Sequence, residues 1–431
     1  MLTRRSALLG PLALGRLVLG ARVLGAGVLG MGIAGAGMLG AGAVGGAAAA
    51  APPGRGGARR VRKTLVPAAA PTPATTPIGP VATDAHWAYI EDYTTGTVLL
   101  EKRADEQMAP SSMTKLMTLY ILFSRLKSGR MKLDQMLPVS RTAWRFGGSK
   151  MFVEVGTTVS VEDLIKGIVV DSGNDACIVV AEAIAGSQAQ FADLMNQEAK
   201  RLGLTHSHFT NPMGWPDPDH YMSVHDIARV TAALIRDFPE YYHFFGDKTF
   251  TYSKITQGNR NVLVDNGMAD GLKTGHTEAG GFGLVASAER NGRRVIVVLN
   301  GMPSSHERIE QGERLLGWAF TNFEDVTLVA AGAPVDHAPV WLGAAPTVPL
   351  VVAQDLVVTL PHGWRTGLKV TAEYDAPVSA PVAKGASLGT LRLARAGTPD
   401  VTVPLLAGAT VGRLGLPGRA VAVLMHDLSG R

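Results

Sequence analysis

Three short motifs hold the reactive groups of this chain. Ser112-Met113-Thr114-Lys115 sets a hydroxyl and an amine three residues apart. Ser172-Gly173-Asn174 adds a second hydroxyl and an amide, and Lys273-Thr274-Gly275 adds a cation and a third hydroxyl. A serine hydroxyl is a poor nucleophile at neutral pH until a base takes its proton, and Lys115, at i+3, shares a helix face with Ser112. A lysine can be that base only when neutral. Burial and a second cation both depress its pKa, and Lys273 is the natural second cation. Ser172 can pass a proton toward a leaving amine, and Asn174 can orient a substrate amide and Lys115. Lys273 and Thr274 can meet a substrate carboxylate from an edge strand, with Gly275 leaving room for an extended peptide alongside. The backbone N–H groups of Ser112 and His276 are natural donors to an oxyanion. Each motif alone is common. Their order, with 60 residues from Ser112 to Ser172 and 101 from there to Lys273, is far rarer and points to acyl transfer.

The surrounding sequence predicts the elements that must position these groups. Ala88–Asp92 and Thr97–Glu101 flank Thr95-Gly96 as a hairpin. Residues 112–123 are apolar enough for a buried central helix with Ser112 in its first turn. Helices follow at 161–170, 174–186, 188–202 and 223–237, the last capped by Ser223 and Asp226. Strands 282–288 and 294–299 join across Asn291-Gly292, and helix 306–322 comes next. Helices inserted between an N-terminal hairpin and C-terminal antiparallel strands imply one sheet covered by helices, an α+β class of α/β domain. From about residue 326 short β-rich runs separated by Pro and Gly predict a small all-β domain.

With Asp175-Ala176-Cys177 after the second motif and His276-Thr277-Glu278 across the end of the third, these residues resemble the low-molecular-mass penicillin-binding proteins, the serine-type D-alanyl-D-alanine carboxypeptidases. The resemblance runs from Trp87 to Leu416. It implies a β-lactamase/D,D-peptidase-like catalytic domain followed by a β-rich one. It also implies acylation of Ser112 by peptidoglycan stem peptides ending in D-Ala-D-Ala, release of the last D-Ala, and covalent trapping by β-lactam antibiotics. Lys115, Ser172 and Asn174 are the other catalytic residues so implied; Lys273, Thr274, Gly275 and His276 bind substrate. Arg308 falls where the family places an arginine near the substrate carboxylate. No cofactor or metal is implied. A class A β-lactamase would need a deacylating glutamate before the third motif, and residues 206–220 contain none, which argues against fast antibiotic hydrolysis. A D,D-endopeptidase would use the same residues. A wall-binding protein with a decayed site is disfavoured by three complete motifs.

Cys177 lies near the site without a histidine partner, so a buried helix cysteine is the simpler reading. His206 and His208 lack a third ligand at a recognisable spacing for zinc. The chain of 431 residues carries +5, but residues 1–83 hold nine basic residues and no acidic one, leaving −4 for the remainder; the basic pI is no argument for nucleic acid. Residues 1–51, with Arg4-Arg5 before a glycine-rich apolar run, predict an export signal of twin-arginine type. Residues 52–84 predict a Pro/Ala-rich unstructured tether. The catalytic domain is then expected over 85–325 and the β-rich domain over 326–431, in a periplasmic or cell-envelope protein attached to the inner membrane if its apolar ends hold it there. Val421, Leu424, Met425 and Leu428 form an apolar stripe. It is read chiefly as a closing element packed on the last domain, with weak membrane association as the alternative.

Overall fold

The computed structural model describes residues 3–8, 72–396, 398 and 400–429. The expected export signal therefore lies outside the described residues, except that the backbone of Thr3–Leu8 forms a strand paired with Lys369–Ala376. The expected tether is corrected over residues 72–84, which are ordered against the catalytic domain. Ala74 is fully buried and pairs with Val81, and Thr75 exchanges backbone hydrogen bonds with Glu101. Small side chains let this segment lie flat along an edge strand whose backbone groups would otherwise go unpaired.

The catalytic domain is built on a five-stranded antiparallel sheet. Its strands are β1 (Trp87–Asp92), β2 (Val98–Lys102), β3 (Gly271–Thr277), β4 (Gly281–Arg290) and β5 (Arg293–Met302), in the spatial order β2-β1-β5-β4-β3. Strand β3 is thus an edge, and Asn291-Gly292 makes the β4–β5 turn with both residues at positive φ. The helical insertion contains α1 (Lys115–Lys127), α2 (Val161–Val169), α3 (Asn174–Ala185), α4 (Gln188–Leu202) and α5 (Val224–Asp237); α6 (Ser305–Asn322) follows β5. Every residue of α1 from Lys115 to Phe123 is buried, as a helix apolar on all sides must be. Ser160, Ser187, Ser223 and Ser304 cap α2, α4, α5 and α6 by accepting a backbone N–H three residues on, each contributing about 1 kcal/mol.

Beyond α6 the chain is β-rich. Strands Phe323–Val329 and Leu356–Pro361 pair with each other, and Pro334–Trp341, Thr347–Val351, Lys369–Ala376, Ser387–Ala394 and Val401–Ala407 belong to a second sheet around a separate core that includes Leu350, Leu391 and Leu405. Arg293 fastens the seam. It is paired with buried Asp92 at 2.7 Å and donates to the carbonyls of Ala319 and Phe323. The last helix, α7 (Leu416–Ser429), corrects the expectation of a packed closing element: Leu424 is 60% exposed and Leu428 76% exposed. The stripe is amphipathic, but the core of the β domain is already closed without it.

Candidate active site

The three motifs converge where the start of α1, the start of α3 and the edge strand β3 meet. Ser112 lies in a tight 3-10 turn, Ser111–Thr114, that runs directly into α1. Ser111 is at φ +52°, a left-handed conformation that a non-glycine residue adopts at a cost and that recurs at functional sites. The next turn of chain puts Lys115 beneath Ser112, with Nζ 2.8 Å from Ser112 Oγ. The same amine donates to Asn174 Oδ1 at 2.8 Å and to the carbonyl of Met213 at 3.0 Å. When that amine is neutral, its two N–H bonds are satisfied by these two acceptors and its lone pair faces the Ser112 hydroxyl. Lys115 is completely buried, and that burial pushes its pKa down to about 8, with Arg260 acting in the same direction and Cys177 and Asp175 opposing.

The second motif is held by its neighbour. Asp175 is fully buried and accepts from the backbone N–H groups of Met151, Phe152, Val153 and Ala176, which locks the start of α3 against residues 151–153. Asn174, the first residue of α3, is fixed at both ends of its amide, through Lys115 at Oδ1 and through the Gly147 carbonyl at Nδ2. Ser172 precedes it at φ +57°, and its hydroxyl makes no hydrogen bond among the described residues.

On the strand side, Lys273 is buried, and its amine has a single contact, a 3.3 Å bond to the Thr274 carbonyl. Burial, then Lys115, Arg260 and Arg308, hold its pKa well below the ordinary lysine range. Arg308 on α6 reaches this wall, bonded to Ser305 Oγ at 3.0 Å and lying over the Phe282 ring; burial and Arg260 lower its pKa. His276 is exposed and stacked on Phe282 at 3.9 Å. Thr277 bonds Ser111 Oγ at 2.8 Å, tying β3 to the serine turn.

Gly275 has a different use from the one expected. A Cβ there would meet Pro110 O and Ser111 Cβ at 3.1 Å, and one on its cross-strand partner Gly283 would meet Met113 Cε at 2.7 Å. The pair of glycines opens a gap in the sheet surface that seats the Ser111–Met113 turn; the missing side chain faces the protein and not an incoming peptide. Cys177 is fully buried with its thiol pushed up to about 12 by that burial, the state of an inert core cysteine. His206 and His208 turn to different partners, Asp105 and the Asp219 carbonyl.

Sequence reasoning missed Arg260, which bonds Ser149 Oγ at 2.6 Å and acts electrostatically on Lys115, Lys273 and Arg308. The aromatic and Pro-rich stretch 211–216 reads from its sequence as a rim loop over the site or a packed turn, and it borders the site. Trp215 is 46% exposed and packs edge-on against Phe146. A cavity of about 320 Å³ opens between the Trp215–Pro218 segment, Ser111 and Thr277.

Comparison with known proteins agrees with this geometry. The D-alanyl-D-alanine carboxypeptidase family matches residues 72–303, and the C-terminal domain of penicillin-binding protein 5 matches residues 323–413. The chain is 38% identical to a D-alanyl-D-alanine carboxypeptidase, DacD, of Salmonella typhimurium, over 80% of this chain and 91% of that one. It is 39% identical to DacC of Escherichia coli, over 78% and 86% respectively. Among solved structures, penicillin binding protein 5 from Haemophilus influenzae superposes with a TM-score of 0.69 at 36% identity, covering 78% of this chain and 99% of that one.

Proposed function

The chain belongs to the D-alanyl-D-alanine carboxypeptidase family, and we propose that it performs that reaction on peptidoglycan stem peptides with Ser112 as the acylated residue. The observation that carries this reading is the triple contact of Lys115. The Ser112 hydroxyl passes its proton to the Lys115 amine as its oxygen attacks the carbonyl of the penultimate D-alanine. The negative charge that develops on that carbonyl oxygen is received by the backbone N–H groups of Ser112 and His276. Ser172, poised beside Asn174, relays the proton held by Lys115 to the departing D-alanine nitrogen, giving its own hydroxyl proton and taking the one from Lys115, so that the amine is neutral again while Asn174 keeps it in place. Water then attacks the ester as Lys115 takes its proton, and Lys115 hands that proton to Ser112 Oγ as the ester bond breaks, freeing the serine hydroxyl and the neutral amine.

Lys273, Thr274 and Arg308 receive the substrate's terminal carboxylate. A β-lactam presents a carboxylate and a strained amide at comparable positions, so it acylates the same serine. The open edge of β3 is suited to an extended peptide laid antiparallel beside it.

The decisive experiment incubates the purified protein with a fluorescent penicillin and with diacetyl-L-Lys-D-Ala-D-Ala. Covalent label on Ser112 and free D-Ala are expected, with both lost in Ser112→Ala while the fold is retained. Label on Ser111 or Ser172 would overturn the assignment.

The protein is exported in this reading, by way of the Arg4-Arg5 signal, and works in the cell envelope. No described helix is long and apolar enough to cross a membrane. The exposed stripe of α7 instead suits shallow contact with a membrane surface. Removing residues 416–431 should abolish co-sedimentation with anionic phospholipid vesicles and leave turnover of the soluble peptide unchanged; equal sedimentation of both forms would exclude that role.

A further inference from the structure

The cavity beside Trp215 has no part in the chemistry above, yet it lies on the path the substrate must take. With the terminal carboxylate at Lys273 and Thr274 and the scissile carbonyl at the His276 N–H, an extended peptide runs antiparallel to β3. Toward its own N-terminus it passes the far end of that strand. The penultimate D-alanine is then opposite His276, and the residue before D-Ala-D-Ala is opposite Thr277. Directly opposed residues of antiparallel strands present their side chains to the same face. Thr277 turns its hydroxyl to Ser111 Oγ at 2.8 Å and lines the cavity of about 320 Å³, together with Ser111, Trp215, Asp217 and Ala279. A side chain opposite Thr277 therefore points toward that cavity.

The walls restrict what that side chain can be. Asn211 Oδ1 accepts from the backbone N–H groups of Gly214 and Trp215 at 2.9 Å each, and Asn211 Nδ2 donates to the Trp215 carbonyl at 3.0 Å. Pro216 and Pro218 fix their own backbone and restrict Trp215 and Asp217 before them, so the wall is formed before anything binds. Trp215 offers an aromatic surface that is 46% exposed. Asp217 is exposed too. One of its oxygens accepts from the Asp219 N–H at 2.9 Å, and no cation pairs with it among the described residues. It is also the only charged side chain among the described residues that line the cavity. The one other titratable group there, His220, bonds Thr114 Oγ1 at 2.9 Å, and burial keeps it neutral by pushing its pKa down to about 4. An aromatic wall with one unpaired carboxylate suits a methylene stem that ends in a cation.

We propose that this cavity is the subsite for the residue preceding D-Ala-D-Ala and that it selects a side chain ending in a free amine. The methylene stem packs on Trp215, and the ammonium meets the Asp217 carboxylate. An amine already acylated, as in a stem peptide joined to another through that side chain, is neutral and bulkier and loses the charged contact. The inference rests on the carboxypeptidase reading and on β3 as the edge that carries the substrate.

The test measures kcat and KM of the native full-length enzyme, Asp217→Asn and Trp215→Ala on three peptides that differ only at this position. Nα-acetyl-L-Lys-D-Ala-D-Ala has the free amine, diacetyl-L-Lys-D-Ala-D-Ala has it blocked, and acetyl-L-norleucine-D-Ala-D-Ala keeps a methylene stem without it. The native enzyme should favour the free amine over both others by about fivefold in kcat/KM, the most that an exposed ion pair supplies. The difference should lie in KM, because the contact is the same before and during the reaction. In Asp217→Asn, whose amide can still accept from the Asp219 N–H, the free-amine peptide should fall to the level of the other two. Trp215→Ala should raise KM for all three, since each carries the stem.

Equal efficiency on the free and blocked amines in the native enzyme would refute the subsite, and so would a preference that survives in Asp217→Asn. Unchanged KM values in Trp215→Ala would remove the aromatic wall from it. Release of D-Ala from none of the three peptides by the native enzyme would sink the functional reading itself, whereas release from all three at one rate would sink this inference alone.

Discussion

The two walls of the cleft are built on opposite principles. On the helix wall the groups around the base have their partners, and the Ser172 hydroxyl is left open: Lys115 touches Ser112, Asn174 and Met213, Asn174 is tied at both ends, and Asp175 accepts four backbone bonds. On the strand wall cations gather without acceptors. Lys273 has one 3.3 Å contact, and Arg308 and Arg260 bond only to serine hydroxyls, Ser305 and Ser149. A satisfied network fixes atoms to a few tenths of an ångström, which proton transfer requires. An unsatisfied cluster of buried charge stores a preference for an anion, which recognition requires. Damage to the first wall should therefore appear in the chemical step, and damage to the second in substrate binding.

The sharpest way to break this contrast is Lys115→Arg. Arginine keeps the positive charge but does not deprotonate in a protein, so it can fill the site without serving as base. Acylation by penicillin, followed by stopped flow, should fall by about two to four orders of magnitude, the usual contribution of a general base. In the native enzyme the acylation rate should rise with pH through about 8 and then level, because burial lowers the pKa of Lys115 and only the neutral amine accepts the proton. A near-native rate in the arginine variant would show that the helix wall needs a cation and not a base.

A second substitution strikes the same wall through its backbone. Gly214 sits at φ +80°, and a Cβ there would lie 1.8 Å from the Ser111 carbonyl and 2.7 Å from Thr114 Oγ1. In Gly214→Ala the loop must back away, carrying with it the adjacent Met213 carbonyl that holds the Lys115 amine. A displacement near an ångström costs on the order of 10²-fold in rate. The loss should fall on kcat, with the preference for free-acid over amidated peptide preserved. A collapse of that preference would mean that the two walls are not independent.

How much of this was legible in the sequence follows the same division. The motif residues of the helix wall read directly, because a helix converts a spacing of three into a contact and a cap reads as Ser followed by an acid. The order of hairpin, helices and strands was legible for the same local reasons. Arg260 and Asp175 act across the fold, and no sequence spacing encodes a contact made only when distant segments come together. Gly275 was assigned the wrong neighbour because a glycine in a strand announces a close approach without saying from which side. The stripe on α7 was periodic enough to predict an amphipathic helix. Whether that helix has something to pack on depends on how completely the preceding strands fill their own core, and no local pattern reports that.

The smallest expected effect belongs to the strand wall and tests its logic most finely. Arg308 is one of several cations there, so its loss should weaken recognition without ending it. A planar guanidinium grips a carboxylate through two parallel bonds. Arg308→Ala should accordingly lower kcat/KM for free-acid D-Ala-D-Ala peptides by about 1.5–3 kcal/mol, the range for a hydrogen bond to a charged group. The change should lie mainly in KM, since Lys115 and its partners are untouched. A peptide amidated at its C-terminus has no charge to lose and should differ little between native and variant enzymes. Equal losses on both peptides would show Arg308 acting through the general field of the site or through its packing over Phe282, and the strand wall would then be a structural surface rather than a receptor for the carboxylate.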